Sequence, residues 1–588
     1  MQDAEAGRVR GHVRGHVRGR LIAALLATLS ALAFALSFPL SEQFVAGWPL
    51  VFVWPALLGA AARIAPRKRE LVVVTAVPFL VVFLAHEWWM RHITELGMPL
   101  LAMYLAGWTV VLALLMRRLG GTAARPRWPF AVVLPIAVVC VEHLRGDLVC
   151  SGYAWFFAAH PLVEWTEVAQ IASIGGGWLL SALAAFVSGA ALDAIVGRGK
   201  LRIASPIIAL TALAAAFVFG AQRIAAIDNS NTAHPPALNI LSVQTDLPMS
   251  NKLSWTPEEQ VEDFLVFARL TIEGAAKARE AGATIDLALW PETTLPGLGL
   301  ERESIKTLVD GHYYPGDRYL EALRDLSTRI DAPMLVGSPA YIDLRVEGNR
   351  FKWKHQFNSA YLVGPDGARG RTDKIYLTPF GEMMPIISNW DWLETQLLDL
   401  GAEGMTFDLD AAAAPSNFTL QRKVPQSGAV SGAASGAASE TASGTEGVGL
   451  GVPICFEITM PWASRRIAFP DGKRAAGVLL NLSNDGWFGP SRAGRRQHLQ
   501  VAQLRAIELD TPVVRSANTG ISASIDAVGR IEAILPSQQA GTLLVHPVPS
   551  TSVPTSVFLG DSVAFLALLG ACVGLLPVGK QKAARPQL

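Results

Sequence analysis

Along the first 220 residues, long apolar runs alternate with short polar connections. The runs are Leu21–Phe38, Phe44–Ala62, Leu71–Trp88, Met98–Met116, Trp128–Glu142, Ile171–Val196 and Ile203–Gly220, and an eighth, Val557–Val578, lies near the C-terminus. A helix needs about 20 largely apolar residues to cross a bilayer, so the pattern predicts a polytopic α-helical membrane domain of eight spans. The fifth run is short and ends in Glu142-His143-Leu144-Arg145, which leaves its limits open.

From about Pro236 the pattern changes to short β-leaning runs and amphipathic stretches. Strands are expected at Ala237–Val243, Ile285–Trp290, Met334–Gly337, Ser359–Val363, Leu450–Cys455 and Val478–Leu482. Thr256-Pro257-Glu258-Glu259 reads as a capping box with proline at the first helical position. Val261, Phe264, Leu265, Ala268 and Ile272 then recur at helical spacing, and His498–Leu509 reads as a second helix. Gly364-Pro365-Asp366-Gly367 is a turn signal. Strands alternating with helices predict an α/β domain over about 225–550. The stretch 426–447, almost entirely Ser, Gly, Ala, Thr and Glu, is expected as a flexible insertion.

Basic residues orient this arrangement. They crowd into residues 1–20, Arg63–Arg69, Arg117–Arg127, Arg198–Arg202 and Lys580–Arg585, whereas the intervening short connections hold only Arg91 and Arg145. The positive-inside rule then places both termini in the cytoplasm and the 225–550 domain outside the membrane. On this reading residues 1–20, with their Gly-His-Val-Arg repeat, form a basic disordered leader, and 579–588 a cytoplasmic tail. A cleavable signal peptide is the alternative reading of the first run, since basic residues precede Leu21.

Composition agrees with a membrane protein: 51% of residues are hydrophobic and mean hydropathy is +0.33. A net charge of +1 offers no global field for nucleic acid. The four cysteines, Cys140, Cys150, Cys455 and Cys572, lack zinc-site spacing and are too few for a disulfide scaffold. No metal or cofactor is expected.

Three polar residues sit at or just beyond the ends of strand-like runs, where loops of layered α/β folds converge on sites. Glu292 follows Leu287–Pro291, Lys374 precedes Leu377-Thr378-Pro379-Phe380-Gly381-Glu382, and Cys455 ends Gly451–Ile454. Cys455 is the only cysteine of the outer domain, so it has no disulfide partner there; the other reading is a buried thiol acting as a small hydrophobe. A nucleophilic thiol needs a base or a nearby cation, roles that Glu292 and Lys374 have the chemistry to fill. Spacing alone does not bring the three together, and singly each charged residue also fits a solvated surface position.

As a set, these segments resemble the nitrilase superfamily, and with the spans its membrane-bound branch, the apolipoprotein N-acyltransferases of Gram-negative bacteria. Trp290-Pro291-Glu292 resembles the segment of the general base. Lys374 with Pro379-Phe380-Gly381-Glu382 resembles the lysine block, and Ile454-Cys455-Phe456-Glu457 the nucleophile block. The runs Asn481–Gly489 and Arg515–Ser522 resemble the segments that follow. Phe456 stands where the family often has tyrosine, and the Gln244–Trp255 segment is a loose match.

The resemblance implies an αββα sandwich and a Glu292-Lys374-Cys455 triad in the cell inner membrane, with the catalytic domain periplasmic. It implies Glu382, Phe456 and Glu457 in support, and Trp255, Asn484 and Trp487 as substrate contacts. The implied donor is a phospholipid, typically phosphatidylethanolamine; the acceptors are diacylated apolipoproteins; the protein acts as a monomer. Two alternatives keep the same residues: a membrane-tethered amidase that hydrolyses a periplasmic C–N bond, and a non-catalytic lipoprotein-binding protein.

Overall fold

The computed structural model of the chain describes residues 2–43, 45, 47–233, 238–247, 255–348, 350–383, 409–421 and 447–576. The expected insertion, apart from Gly447, and the C-terminal tail lie outside the described residues.

The apolar runs form helices α1 (Gln2–Ser37), α2 (Trp54–Ile64), α3 (Lys68–His86), α4 (Gly97–Gly120), α5 (Phe130–His143), α6 (Ala172–Val196) and α7 (Leu201–Ala233). Among the described residues five helices, all but α2 and α5 of this set, are long and apolar enough to cross a membrane. Three predicted runs are shorter or broken. The second starts with a 3-10 turn, Trp48–Phe52, before α2. The fifth gives only 14 helical residues, then a π-helical turn at Leu144–Leu148. The eighth is split at Gly560, whose φ of +44° ends one short helix before another begins.

Two expected boundaries move outward. The basic leader is helical from Gln2, because a helix nucleated in the apolar segment propagates at little cost per residue. The seventh run continues past Gly220 to Ala233, so the expected domain boundary near residue 225 falls inside α7. The extension is polar and is held by its side chains: Arg223 Nη2 lies 2.8 Å from Asp510 Oδ1, and Asp228 pairs with Arg530.

The basic connections gather at one end. Arg117 Nη1 donates to the carbonyls of Ala62 and Ala65 at 2.9 and 2.6 Å. Arg127 Nη1 donates to Arg118 O at 2.7 Å, and Arg118 Nη2 to Leu575 O at 2.8 Å.

Among the described residues the α/β domain contains two six-stranded sheets. The strands are β1 (Ile240–Gln244), β2 (Leu287–Leu289), β3 (Met334–Ile342), β4 (Arg345–Glu347), β5 (Arg350–Lys352), β6 (His355–Gly364), β7 (Gly367–Asp373), β8 (Phe418–Gln421), β9 (Gly447–Gly451), β10 (Val478–Ser483), β11 (Val513–Ala517), β12 (Ser522–Ile525), β13 (Ile531–Leu535) and β14 (Gly541–Val545). The first sheet runs β14-β1-β2-β3-β6-β7 and the second β13-β12-β11-β10-β9-β8, while β4 and β5 form a separate hairpin. The predicted turn joins β6 to β7 with Gly364 opposite Gly367.

Helices α8 (Pro257–Glu280), α9 (Arg318–Ile330), α10 (Pro461–Ala468) and α11 (Arg492–Leu509) flank the sheets, and α12 (Ser562–Leu575) follows them. The expected capping box starts α8, with Thr256 N donating to Glu259 Oε2 at 2.9 Å.

The period-two alternation of the strands splits their apolar residues between two faces. Leu289, Leu335 and Leu362 of the first sheet pack on Leu450, Leu480 and Val514 of the second. On its other face the first sheet buries Ala288, Trp290 and Val336 under Phe264, Phe267, Leu323 and Leu326 of α8 and α9. The second sheet buries Leu479, Val513 and Ala523 against Ile467, Leu499 and Ala502 of α10 and α11. That last cluster continues into Val139 of α5, Trp178 of α6 and Ala564 of α12, so the α/β domain and the apolar helices share a core.

Candidate active site

The first sheet supplies Glu292 and Lys374. Pro291 ends the β2 run and turns the chain, and Glu292 is left 5% exposed at its mouth. Gly337 on β3 permits this: a Cβ there would come within 2.4 Å of Pro291 O and 2.7 Å of Glu292 Cα. The Glu292 carboxylate accepts from Asn358 Nδ2 and from the Asn484 backbone N–H, both at 2.8 Å. Lys374 follows β7, is 1% exposed, and sets its Nζ 2.6 Å from Glu382 Oε2 and 3.9 Å from Glu292 Oε1.

Asn358 also donates to Glu382 Oε1 at 2.9 Å, and Thr378 N donates to Glu382 Oε2 at 2.8 Å. One amide therefore spaces two carboxylates around one ammonium. Burial disfavours the Lys374 charge, but Glu382 and Glu292 more than offset it and hold the ammonium protonated well above its usual range. Burial likewise opposes the Glu382 charge, and Lys374 outweighs it, so that carboxyl lies below its usual value.

The second sheet supplies Cys455. After β9 the chain stays extended to Ile454, which bridges Leu482 of β10, and then turns sharply. Cys455 has φ +51°, a left-handed conformation that costs a non-glycine residue about 1–3 kcal/mol. It opens a 3-10 turn, Cys455–Thr459. The Phe456 N–H lies in the first turn, where N–H groups have no partner within the helix and are placed to donate to an anion.

Burial raises the proton affinity of Cys455, the Glu292 and Asp485 carboxylates raise it further, and Lys374 and Ser483 lower it. The net shift is upward, so the thiol needs a base. Glu457 ties the two sheets' loops together. One oxygen accepts from Ile375 N and Tyr376 N at 2.7 and 3.0 Å, and the other from Ile454 N at 2.7 Å. Burial pushes its carboxyl up to about 7, against Lys374 and these donors, which favour its charge.

Behind Cys455 lies a buried ionic cluster. Arg515 Nη2 is 2.7 Å from both oxygens of Asp485, and His498 Nδ1 is 3.2 Å from Asp485 Oδ1. Burial opposes the Asp485 charge, but Arg515 and His498 overcome it and hold the carboxyl far below its usual range. Gly520 leaves room for it, since a Cβ there would lie 2.1 Å from Asp485 Oδ2. Arg515 also donates to Asn481, whose Nδ2 donates to Pro453 O at 2.9 Å and so props the strand entering the Cys455 turn.

The membrane-side loops close over this turn. Phe456 stacks near Tyr153, Trp155 and Tyr376 with centroids 6.3, 6.4 and 6.3 Å away. Phe488 meets Trp89 at 4.8 Å, and Tyr376 Oη donates to Ser151 O at 2.6 Å.

The structure thus brings Glu292, Lys374, Cys455, Glu382, Phe456 and Glu457 together. Asn484 is buried behind Glu292, with its Oδ1 3.3 Å from Asn518 Nδ2, so its contact with Glu292 is through the backbone. Trp487 is half-buried in the turn Asp485–Phe488. Trp255 instead donates to Asp263 of α8 at 3.0 Å, and residues 248–254 before it lie outside the described residues. Among the described residues no cluster of three His, Cys, Asp or Glu side chains is placed to hold a metal ion. Sequence reading missed Asn358 and Tyr376. It registered Asp485 and Arg515 only as parts of similar segments, and His498 only as the start of a helix.

The chain also matches families of known proteins. The apolipoprotein N-acyltransferase N-terminal domain matches residues 30–190, and carbon-nitrogen hydrolase matches residues 250–553. An apolipoprotein N-acyltransferase of Bradyrhizobium diazoefficiens is 30% identical over 509 residues, covering 84% of this chain and 81% of the relative. One from Geobacter metallireducens is 28% identical over 465 residues, covering 77% and 74%. A solved amidase from Nesterenkonia sp. aligns with a TM-score of 0.32 at 16% identity, over 56% of this chain and 95% of that one. With a match of this length across both its apolar helices and its α/β domain, the chain belongs to the apolipoprotein N-acyltransferase family, as an enzyme with a carbon-nitrogen hydrolase domain.

Proposed function

We propose that this protein moves an acyl chain from a membrane phospholipid, through a Cys455 thioester, to the α-amino group of the N-terminal diacylglyceryl-cysteine of apolipoproteins. The observation that carries the reading is the junction of a base, a cation and a thiol from two sheets, roofed by loops of the apolar helices. Glu292 removes the thiol proton, and the thiolate attacks the ester carbonyl. Lys374 and the Phe456 N–H stabilise the oxyanion. The lysophospholipid oxygen leaves with the proton from Glu292, and Cys455 holds the acyl group. The acceptor amine then attacks the thioester, gives its proton to Glu292, and the sulfur leaves and is reprotonated.

Both substrates are lipid-anchored, so the mouth must meet the bilayer surface. Half-exposed Leu96 and Leu148, in connections at this end of the helices, and Phe380, in the loop after Lys374, supply apolar surface there. A water-poor mouth also protects the thioester.

The wider reading has phosphatidylethanolamine as donor and a monomer in the cell inner membrane. The chain crosses eight times, with α2, α5 and α12 completing the five long helices. Both termini are cytoplasmic, which the gathering of basic connections at the end away from the site supports. The catalytic domain is periplasmic and is an αββα sandwich, in keeping with its three successive cores.

The test is the intact mass of purified full-length protein after incubation with phosphatidylethanolamine. An added acyl mass is expected on the wild type and absent from Cys455→Ser; an equal adduct on that variant would overturn the thioester. Adding a diacylated lipopeptide should then give N-acylated peptide. Free fatty acid with unmodified peptide would instead indicate an amidase. A reporter fused after Lys580 should read as cytoplasmic.

A further inference from the structure

Ser483 ends β10 directly behind the nucleophile and is fully buried. Its Oγ lies 2.7 Å from Asp485 Oδ1 and 3.6 Å from Cys455 Sγ. A serine hydroxyl has one proton and serves one acceptor at a time. With the sulfur neutral, as thiol or thioester, it is a weak acceptor, and the carboxylate takes the bond. With the sulfur anionic, it competes as a charged acceptor.

Asp485 tolerates the loss, because Arg515 contacts both its oxygens and His498 contacts Oδ1.

Resting on the assignment of Cys455 as nucleophile, we propose that Ser483 is a further catalytic residue whose hydroxyl turns from Asp485 to Cys455 Sγ whenever the sulfur is anionic. The thiolate occurs twice in the reaction, as attacking group in acylation and as leaving group in aminolysis. A hydrogen bond made only in those states lowers both barriers without tightening substrate binding. No bond to Ser483 forms or breaks; the hydroxyl keeps its proton throughout, and Glu292 carries the proton removed from the thiol.

The test uses full-length protein in detergent and follows carbamidomethylation of the Cys455 peptide by iodoacetamide against pH, resolved by mass from the other cysteines. Ser483→Ala removes only the hydroxyl and leaves Asp485 with Arg515 and His498. The alkylation profile should move up by roughly one pH unit, and acylation by phosphatidylethanolamine should slow by about tenfold to a hundredfold, the range for a hydrogen bond to a charged group. The KM for phospholipid should stay within about twofold, and Ser483→Thr should recover the alkylation profile.

An unchanged profile in a folded Ser483→Ala, or slowed acylation with the profile unmoved, would overturn the proposal. Absence of any acyl adduct on the wild type would instead remove the thioester mechanism itself, a separate outcome of the same assay.

Discussion

The two sheets contribute to the site in different ways. The first offers a rigid lattice of charge: Glu292, Glu382 and Lys374, locked by Asn358 and by backbone N–H groups. The second offers a strained turn whose reactive atom is held mainly by packing and by neighbours behind it: Cys455 at φ +51°, backed by Ser483 and Asp485. In the proposed mechanism acid–base chemistry benefits from fixed distances, whereas the sulfur must follow a carbonyl carbon from trigonal to tetrahedral and back. On that mechanism, catalysis depends on how the sheets dock. Ser516 Oγ donates to Val243 O at 3.1 Å, Thr245 Oγ1 donates to Asn518 Oδ1 at 2.8 Å, and Glu457 bonds loops of both.

Substitutions on each side separate these contributions. The largest effect is expected from Glu292→Gln, which keeps the shape of the lattice and removes the proposed base: acylation should fall by about 10²–10⁴-fold in single-turnover assays. A loss under tenfold would mean that the thiol ionises without it.

On the other sheet, Asp485→Asn leaves Arg515 buried without its counter-charge and should destabilise the domain by about 3–5 kcal/mol in denaturant melts at neutral pH. Because the folded carboxyl lies below its unfolded value of about 4, the unfolded chain binds more protons in acid. The stability Asp485 contributes is present above that pH and lost as pH falls, so the gap between wild type and variant should narrow below about pH 4.

Asn358→Ala removes the spacer of the lattice but no charge, and should slow acylation by roughly tenfold to a hundredfold, the worth of hydrogen bonds to charged partners. If it matches Glu292→Gln, the lattice rather than the base limits the rate. The smallest effect is expected from Trp155→Ala, which loosens one of the rings around Phe456. Losing that stacking contact should add about 0.5–1.5 kcal/mol to the barrier, a few-fold to about tenfold in rate, with Glu292 function intact in the pH profile, while the cavity left by a buried tryptophan is read separately as a loss of about 3–5 kcal/mol in stability.

The legible parts of this chain are those where chemistry and pattern coincide. Thr256 and Glu259 form the expected cap because the box is a purely local device. Glu292, Lys374 and Cys455 could be named because each lies at or beyond the end of a strand-like run inside a similar motif, yet nothing in their spacing showed that they meet. Asn358 left no signal: it occupies one position in the middle of β6, and its importance exists only once Glu292 and Glu382 are folded to either side.

The polar end of α7 was missed for the opposite reason. Hydropathy falls after Gly220, but Arg223 and Asp228 continue the helix through partners hundreds of residues away, Asp510 and Arg530. The splitting of the eighth run turned on one glycine, Gly560, whose left-handed φ no average over a window detects.

The apolar cluster shared by Val139, Trp178 and Ala564 with Leu499, Ala502 and Val513 has a practical corollary. A fragment trimmed to the α/β portion would present to water a greasy underside that normally rests on helices, and it should aggregate rather than serve as a soluble surrogate. Ligand discovery against this protein therefore has to begin with the intact chain in a detergent micelle or nanodisc, where the floor beneath Cys455 is still in place.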